Sequence, residues 1–219
     1  MTSAQYRARL KGRRCYVGMD LSSTKDLTAL EAVFPDEDCF DVLSEYFVPQ
    51  GSIRERSTRD RVPYEQWARE GFLRATPGTV VDYEAVRAVL VEWADEFDLR
   101  MIAYDPWNAT DLVTRLEKQD GFTCVAMRQG FASLSAPTKS LEKAILSKRI
   151  RHDGHPVLRW CMGNISVESD AAGNLKLSKK VSTERIDGAA ALVMAVDLMD
   201  RNSVTTEPSY QMMVFGANR

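Results

Sequence analysis

The feature that most limits the fold of this chain is a six-residue apolar run, Cys15–Asp20 (CYVGMD), that ends on a carboxylate. A compact run of this kind reads as a central, buried strand. A carboxylate closing such a strand is costly without a partner. Residues 28–34 (TALEAVF) place Leu30, Ala32 and Phe34 on one side and Glu31 on the other, the alternation of a half-exposed strand. Residues 40–48 continue the pattern, with Asp41 and Glu45 outward. Short polar links between the three runs predict an antiparallel meander.

A different texture follows. Residues 50–78 are polar and Arg-rich, punctuated by Gly51, Pro63, Gly71, Pro77 and Gly78, with one short helical stretch near 63–70. Connections this long tend to be functional or mobile. Beyond them, helix and strand alternate. Residues 83–97 carry Val86, Leu90, Trp93 and Phe97 on one helical stripe, behind Asp82 as N-cap. Residues 99–104 form a strand that ends at Asp105, residues 107–118 a helix, and residues 122–127 a strand. Helices are predicted at 138–148 and 156–165, and a hairpin turns at Asp170–Asn174. The last helix spans 183–200, with Ser182 and Thr183 as candidate caps and Ile186, Ala190, Val193 and Val196 inward. This order predicts an α/β fold, three antiparallel strands followed by parallel ones in a mixed sheet, with helices on both faces. A length of 219 residues suits one such domain over 15–202, with a basic, frayed arm at 1–14 and a tail at 203–219.

Composition excludes more than it assigns. No apolar run reaches membrane-spanning length, and no signal-peptide pattern opens the chain, so a soluble protein without a membrane partner is expected. Cys15, Cys39, Cys124 and Cys161 form no C-x-x-C pair and read as reduced small hydrophobes. The net charge of −2 does not announce a nucleic-acid binder. Basic residues do gather at 1–14 and 139–159, an asymmetry that could steer a phosphate backbone or simply be solvated surface. His152 and His155 sit in a polar loop, and Trp93 and Trp160 fall on core stripes.

Three acids stand out. Asp20 and Asp105 end strands, and Asp187 lies in the first turn of the last helix. Ligands of open α/β sheets bind beyond the carboxyl ends of parallel strands. Carboxylates gathered there repel one another unless a cation sits between them. Mg²⁺ or Mn²⁺, one ion or two, suits such oxygen donors, and a two-ion site activates water and stabilises the leaving oxygen in phosphodiester cleavage. Each acid also has a plainer explanation. Asp105 before Pro106 fits a strand-to-helix cap, and Asp187 suits a helix dipole. Asp20 is the one hardest to explain away.

Four blocks settle the balance: YVGMDLSSTKDLTAL (Tyr16–Leu30), IAYDPWNAT (Ile102–Thr110), RQGFASLSAPTKSLEKAILSKRIRH (Arg128–His152) and STERIDGAAALVMA (Ser182–Ala195). In content and order they resemble the nuclease domain of terminase large subunits in HK97-like tailed phages and prophages. The resemblance implies an RNase H-like fold and a metal-dependent endonuclease that cuts concatemeric double-stranded DNA during packaging. It places the metal-binding, catalytic acids at Asp20, Asp105 and Asp187. Asp26 is a further metal candidate, or a turn residue before a strand. Lys25, Lys179, Lys180 and Arg185 flank these blocks as candidate DNA contacts. Partners implied by the resemblance are a packaging ATPase domain or subunit, the small terminase subunit and the portal, in the cytoplasm of a bacterial host. No G-x-x-x-x-G-K-[ST] phosphate loop occurs in the chain, so the ATPase motor and its activity are expected to be absent from it. Competing readings are a junction resolvase or transposase type of the same fold, a non-catalytic DNA-binding module, and an actin- or sugar-kinase-like nucleotide site. The last lacks its second Gly-rich loop here.

Overall fold

The computed structural model describes residues 1–22, 27–107, 109–178 and 185–203. Helix α1 (Ser3–Ala8) leads into β1 (Arg14–Asp20), β2 (Thr28–Asp36) and β3 (Cys39–Pro49), the expected antiparallel meander. The connection after β3 holds more structure than its composition suggests. A 3-10 turn (Gln50–Ser52) precedes α2 (Ile53–Asp60), α3 (Tyr64–Arg69) and the short strand β4 (Arg74–Thr76). Ile53, Tyr64 and Trp67 are buried there, and Tyr64 and Trp67 pack edge-on with ring centroids 5.7 Å apart.

Next come α4 (Tyr83–Glu96), β5 (Asp98–Tyr104), α5 (Thr110–Lys118), β6 (Cys124–Ala126), α6 (Phe131–Leu146), β7 (Ile150–His152) and α7 (Pro156–Gly163). The hairpin β8 (Val167–Ser169) and β9 (Leu175–Leu177) and the last helix α8 (Asp187–Ser203) complete the chain order. Asp82 caps α4 as expected, its side chain accepting the Glu84 N–H at 2.9 Å. Asp170 organises the hairpin turn, one oxygen accepting the N–H groups of Ala172 and Asn174, both at 2.9 Å. Strand β7 was not foreseen, because its three residues show no period of their own.

Among the described residues seven strands form one mixed sheet in the order β4-β3-β2-β1-β5-β6, with β7 also on β3. β1 is central, antiparallel to β2 and parallel to β5. One face packs against α6, α7 and α8 through Tyr16, Ala29, Val33, Val42, Val48, Ala103 and the inward side of α8. The other packs against α1, α4 and α5 through Cys15, Val17, Met19, Leu30, Phe34, Trp93 and Leu112. Both faces are therefore covered, which corrects the half-exposed reading of β2 and β3. Glu31 and Asp41, expected outward, are each 0% exposed, and Glu45 is held by Arg74 at 2.8 Å.

The amino-terminal arm is not frayed. Tyr6 and Leu10 are buried against the sheet, and the arginines are engaged in ion pairs. Arg7 bonds Glu92 and Glu96 on α4, while Arg9 and Arg13 bond Asp41. Every cysteine is free, as expected. No helix among the described residues is long and apolar enough to cross a membrane.

Candidate active site

Strand β1 turns alternate side chains toward α8, and Tyr16, Gly18 and Asp20 share that face. Gly18 is what lets the helix down. A Cβ there would lie 1.8 Å from the Ala191 carbonyl oxygen and 2.9 Å from the Ala195 nitrogen, so the α8 backbone rests directly on the strand. Asp187 lies one helical turn before Ala191, and Asp20 lies one pleat beyond Gly18. The first turn of α8 therefore stands over the carboxyl end of β1. Asn202, at the other end of the helix, lies beside Met101, which confirms the direction of travel.

Register extends this row across the sheet. Asp20 pairs with Ala29, and Ala29 with Tyr46. On the other side Met19 pairs with Tyr104 in the parallel strand β5, so the next residues, Asp20 and Asp105, leave neighbouring strands at the same level. Asp20 is 4% exposed and Asp187 is 1% exposed, whereas Asp105 is half-buried. Asp187 accepts the Leu27 N–H at 3.1 Å, which ties the helix to the start of β2. Thr28 fixes the same link from below: its hydroxyl accepts the Ser22 N–H and donates to the Ser22 carbonyl, each at 3.0 Å.

Asp105 departs from the expected cap. Helix α5 begins only at Thr110, and the Asp105 carboxylate instead accepts the Trp107 N–H at 3.0 Å within a turn. That turn leaves the Trp107 side chain 78% exposed beside the site.

Cys161 on α7 is buried beside the first turn of α8. Burial pushes its thiol well up, and the charge of Asp187 adds to this. A backbone bond from Gly188 opposes it, and Glu31 and Asp20 contribute further upward pushes. As the side chains stand, no group of three His, Cys, Asp or Glu among the described residues is arranged to hold a metal ion.

Sequence reasoning missed Glu31. It lies on β2 between Gly18 and Ser44, entirely buried beneath α8, and accepts the Ser44 hydroxyl at 2.7 Å and the Tyr46 hydroxyl at 2.5 Å. Burial pushes its carboxyl up to about 8, with the two hydroxyls only partly offsetting the rise. The signal in the sequence was an acid in an otherwise apolar strand, which a covered sheet turns into a buried one.

The remaining expected residues divide. Asp26, Lys25, Lys179 and Lys180, together with the cap candidates Ser182 and Thr183, lie outside the described residues. Arg185 is half-buried, its carbonyl accepting the Asn164 side-chain amide at 3.2 Å, and its charge helps to lower the Asp60 carboxyl. Of the histidines, His155 is buried between Tyr46 and Phe72, and burial pushes it down to about 4. His152 Nδ1 accepts the Gly154 N–H at 3.0 Å. Arg128, not singled out from sequence, is exposed in a cleft of about 420 Å³ beside Pro106, with Asp197 and Arg201 opposite.

Comparison with known proteins places this geometry. The family described as the terminase large subunit, endonuclease domain, matches residues 5–202. The chain is 42% identical over 187 residues to the terminase large subunit of Enterobacteria phage HK97, covering 84% of this chain and 37% of that protein. It is 31% identical over 205 residues to protein YmfN of Escherichia coli K12, covering 85% and 43%. The chain thus spans less than half the length of these relatives. The crystal structure of the HK97 large terminase superposes with a TM-score of 0.79 at 37% identity, covering 90% of this chain and 43% of that one. The SPP1 nuclease domain solved with bound Mn superposes at 0.55 and 13% identity, covering 92% and 93%, which speaks to the RNase H-like fold alone. With its family matched over almost the whole described length, this chain belongs to the endonuclease-domain family of terminase large subunits.

Proposed function

We propose that this chain is a divalent-metal-dependent endonuclease domain that hydrolyses phosphodiester bonds of double-stranded DNA, with Asp20, Asp105 and Asp187 as its catalytic acids. The observation that carries the reading is the seating of α8 on Gly18, which puts Asp187 over the end of the sheet where Asp20 and Asp105 emerge side by side. The donor chemistry fits Mg²⁺ or Mn²⁺: three carboxylates, all hard oxygen ligands, from three elements that meet at one end of the sheet, with Asp105 needing to turn inward to complete the set. Structures of related nucleases carry Mg or Mn in their own sites.

A bound ion or pair of ions supplies positive charge that favours water attack at phosphorus and departure of the leaving oxygen. The protein's own residues do the rest. Asp20 and Asp187 offer carboxylates from buried, rigid elements, so little freedom is lost on binding. Asp105, on a turn, adjusts to complete the set. Arg128 and Trp107 flank that turn and contact the DNA backbone, with Lys25, Lys179, Lys180 and Arg185 as further candidates and Asp26 as an additional metal candidate. In the wider process, the domain cuts concatemeric viral DNA in the bacterial cytoplasm alongside a packaging ATPase, a small terminase subunit and a portal.

The test is nicking of supercoiled plasmid with and without Mn²⁺ by the wild type and by Asp20→Ala, Asp105→Ala and Asp187→Ala. We expect Mn²⁺-dependent nicking by the wild type and none by the folded variants. Retained nicking in one variant removes that residue from the site, and an inactive wild type sinks the reading.

A further inference from the structure

We propose that Glu31 and Tyr46 are positioning residues for Asp187: the Tyr46 hydroxyl, held by Glu31, is the stop against which the first turn of α8 seats. The inference rests on the nuclease reading above, and it concerns how the third acid is held at its height over the sheet.

Four observations support it. First, Gly188 follows Asp187, and a Cβ at Gly188 would lie 2.1 Å from the Tyr46 hydroxyl oxygen and 2.9 Å from the ring carbon that bears it. The hydroxyl therefore abuts the helix backbone immediately beside Asp187, and only glycine permits that approach. Second, the Tyr46 hydroxyl donates to Glu31 at 2.5 Å, and Ser44 donates to the other Glu31 oxygen at 2.7 Å. Third, Tyr46 lies in the same cross-strand row as Asp20, with only Ala29 between them. The stop and the first acid thus share one rigid level of the sheet. Fourth, the ring is enclosed: Tyr46 is fully buried, and His155 lies against its flank with centroids 5.2 Å apart.

The chemistry of Glu31 points the same way. An acid at 0% exposure whose bonds come from two hydroxyls is an expensive way to fill a core position. Its use is geometric, since a carboxyl can take both hydroxyls at once and fix the angle of the phenol ring. Groups that orient a metal ligand typically change metal affinity or activity by about 10–100-fold when altered.

The experiment measures Mn²⁺ binding directly, by the electron paramagnetic resonance signal of free ion, beside nicking and thermal unfolding. We expect Gly188→Ala to weaken Mn²⁺ binding by about tenfold or more. In Gly188→Ala with Tyr46→Phe, loss of the hydroxyl relieves the closest clash, and part of the affinity returns. Glu31→Ala should also weaken binding, and Glu31→Gln, which can still accept from Tyr46 and bond Ser44, should restore most of it. Should Gly188→Ala fail to fold, the Glu31→Ala and Glu31→Gln pair decides. A wild type without Mn²⁺ binding or nicking would overturn the nuclease reading and this inference with it. A working wild type, an inactive Asp187→Ala and unchanged Mn²⁺ affinity in the Gly188 and Glu31 variants would overturn this inference alone.

Discussion

Two acids shut off from solvent on neighbouring strands have opposite electrostatic fates. Asp41 on β3 faces α1, and Glu31 on β2 faces α8, each at 0% exposure. Burial pushes both carboxyls up. At Asp41 the hydrogen bonds of Arg151, Arg13 and Tyr6 outweigh burial and hold the group at about 2. At Glu31 only hydroxyls answer, and the group stays at about 8. Arginines are built in at Asp41 and hydroxyls at Glu31, and a cation at bonding distance favours the charged form of a carboxyl. Asp41 is an anchor that ties α1 and β7 to the sheet edge. Glu31 is a spacer beneath α8, its carboxyl pushed by burial toward the neutral form.

The contrast can be broken most forcefully at the anchor. Asp41→Ala leaves Arg9, Arg13 and Arg151 facing one another without their shared acid. Because the acid is fully buried while the arginines are partly solvated, we expect a loss of about 3 kcal/mol, read by urea unfolding. A loss below about 1 kcal/mol, the level of an exposed pair, would mean that the cluster is only surface decoration.

The spacer predicts a pH effect of opposite sign. Asp41, depressed from 3.8, contributes stability above that value and loses it as pH falls toward about 2. Glu31, raised from 4.5, contributes most below that value, and its contribution is lost as pH rises toward about 8. Between these limits Glu31→Gln should remove a downward slope of up to ~1.4 kcal/mol per pH unit. Parallel stability curves for the two proteins across that window would show that Glu31 does not take up a proton on folding. The smallest effect is expected at Tyr6, whose single hydroxyl proton is shared between Asp41 at 3.0 Å and the Arg151 carbonyl at 2.7 Å. Tyr6→Phe should cost about 1–2 kcal/mol, and an unchanged unfolding midpoint would remove this bond from the anchor.

Legibility in the sequence followed the range of the interactions. The meander, the alternating second half, the α4 cap and the hairpin turn were readable because period and turn chemistry are local. The meeting of Asp20, Asp105 and Asp187 at one end of the sheet was readable from their places at strand and helix ends. Glu31 and Asp41 were misread as outward because alternation shows which residues share a face, and not whether that face is covered. The coverings are supplied by α8, more than 150 residues later in the chain, and by α1, which was taken for a loose arm. Strand β7 and the tyrosine stop at Gly188 were likewise hidden, since both arise only from contacts between distant segments.

The outer margin of β3 has a consequence for the life of the protein in a crowded cell. β7 occupies that margin at Phe40–Val42 and β4 at Phe47–Pro49, while the opposite margin of the sheet is the three-residue β6. A foreign extended segment needs a continuous ladder of unpaired backbone groups to attach. Here one border is divided between two short guards and the other is too brief to template growth. Neither border of the sheet is therefore a ready template for fibril growth.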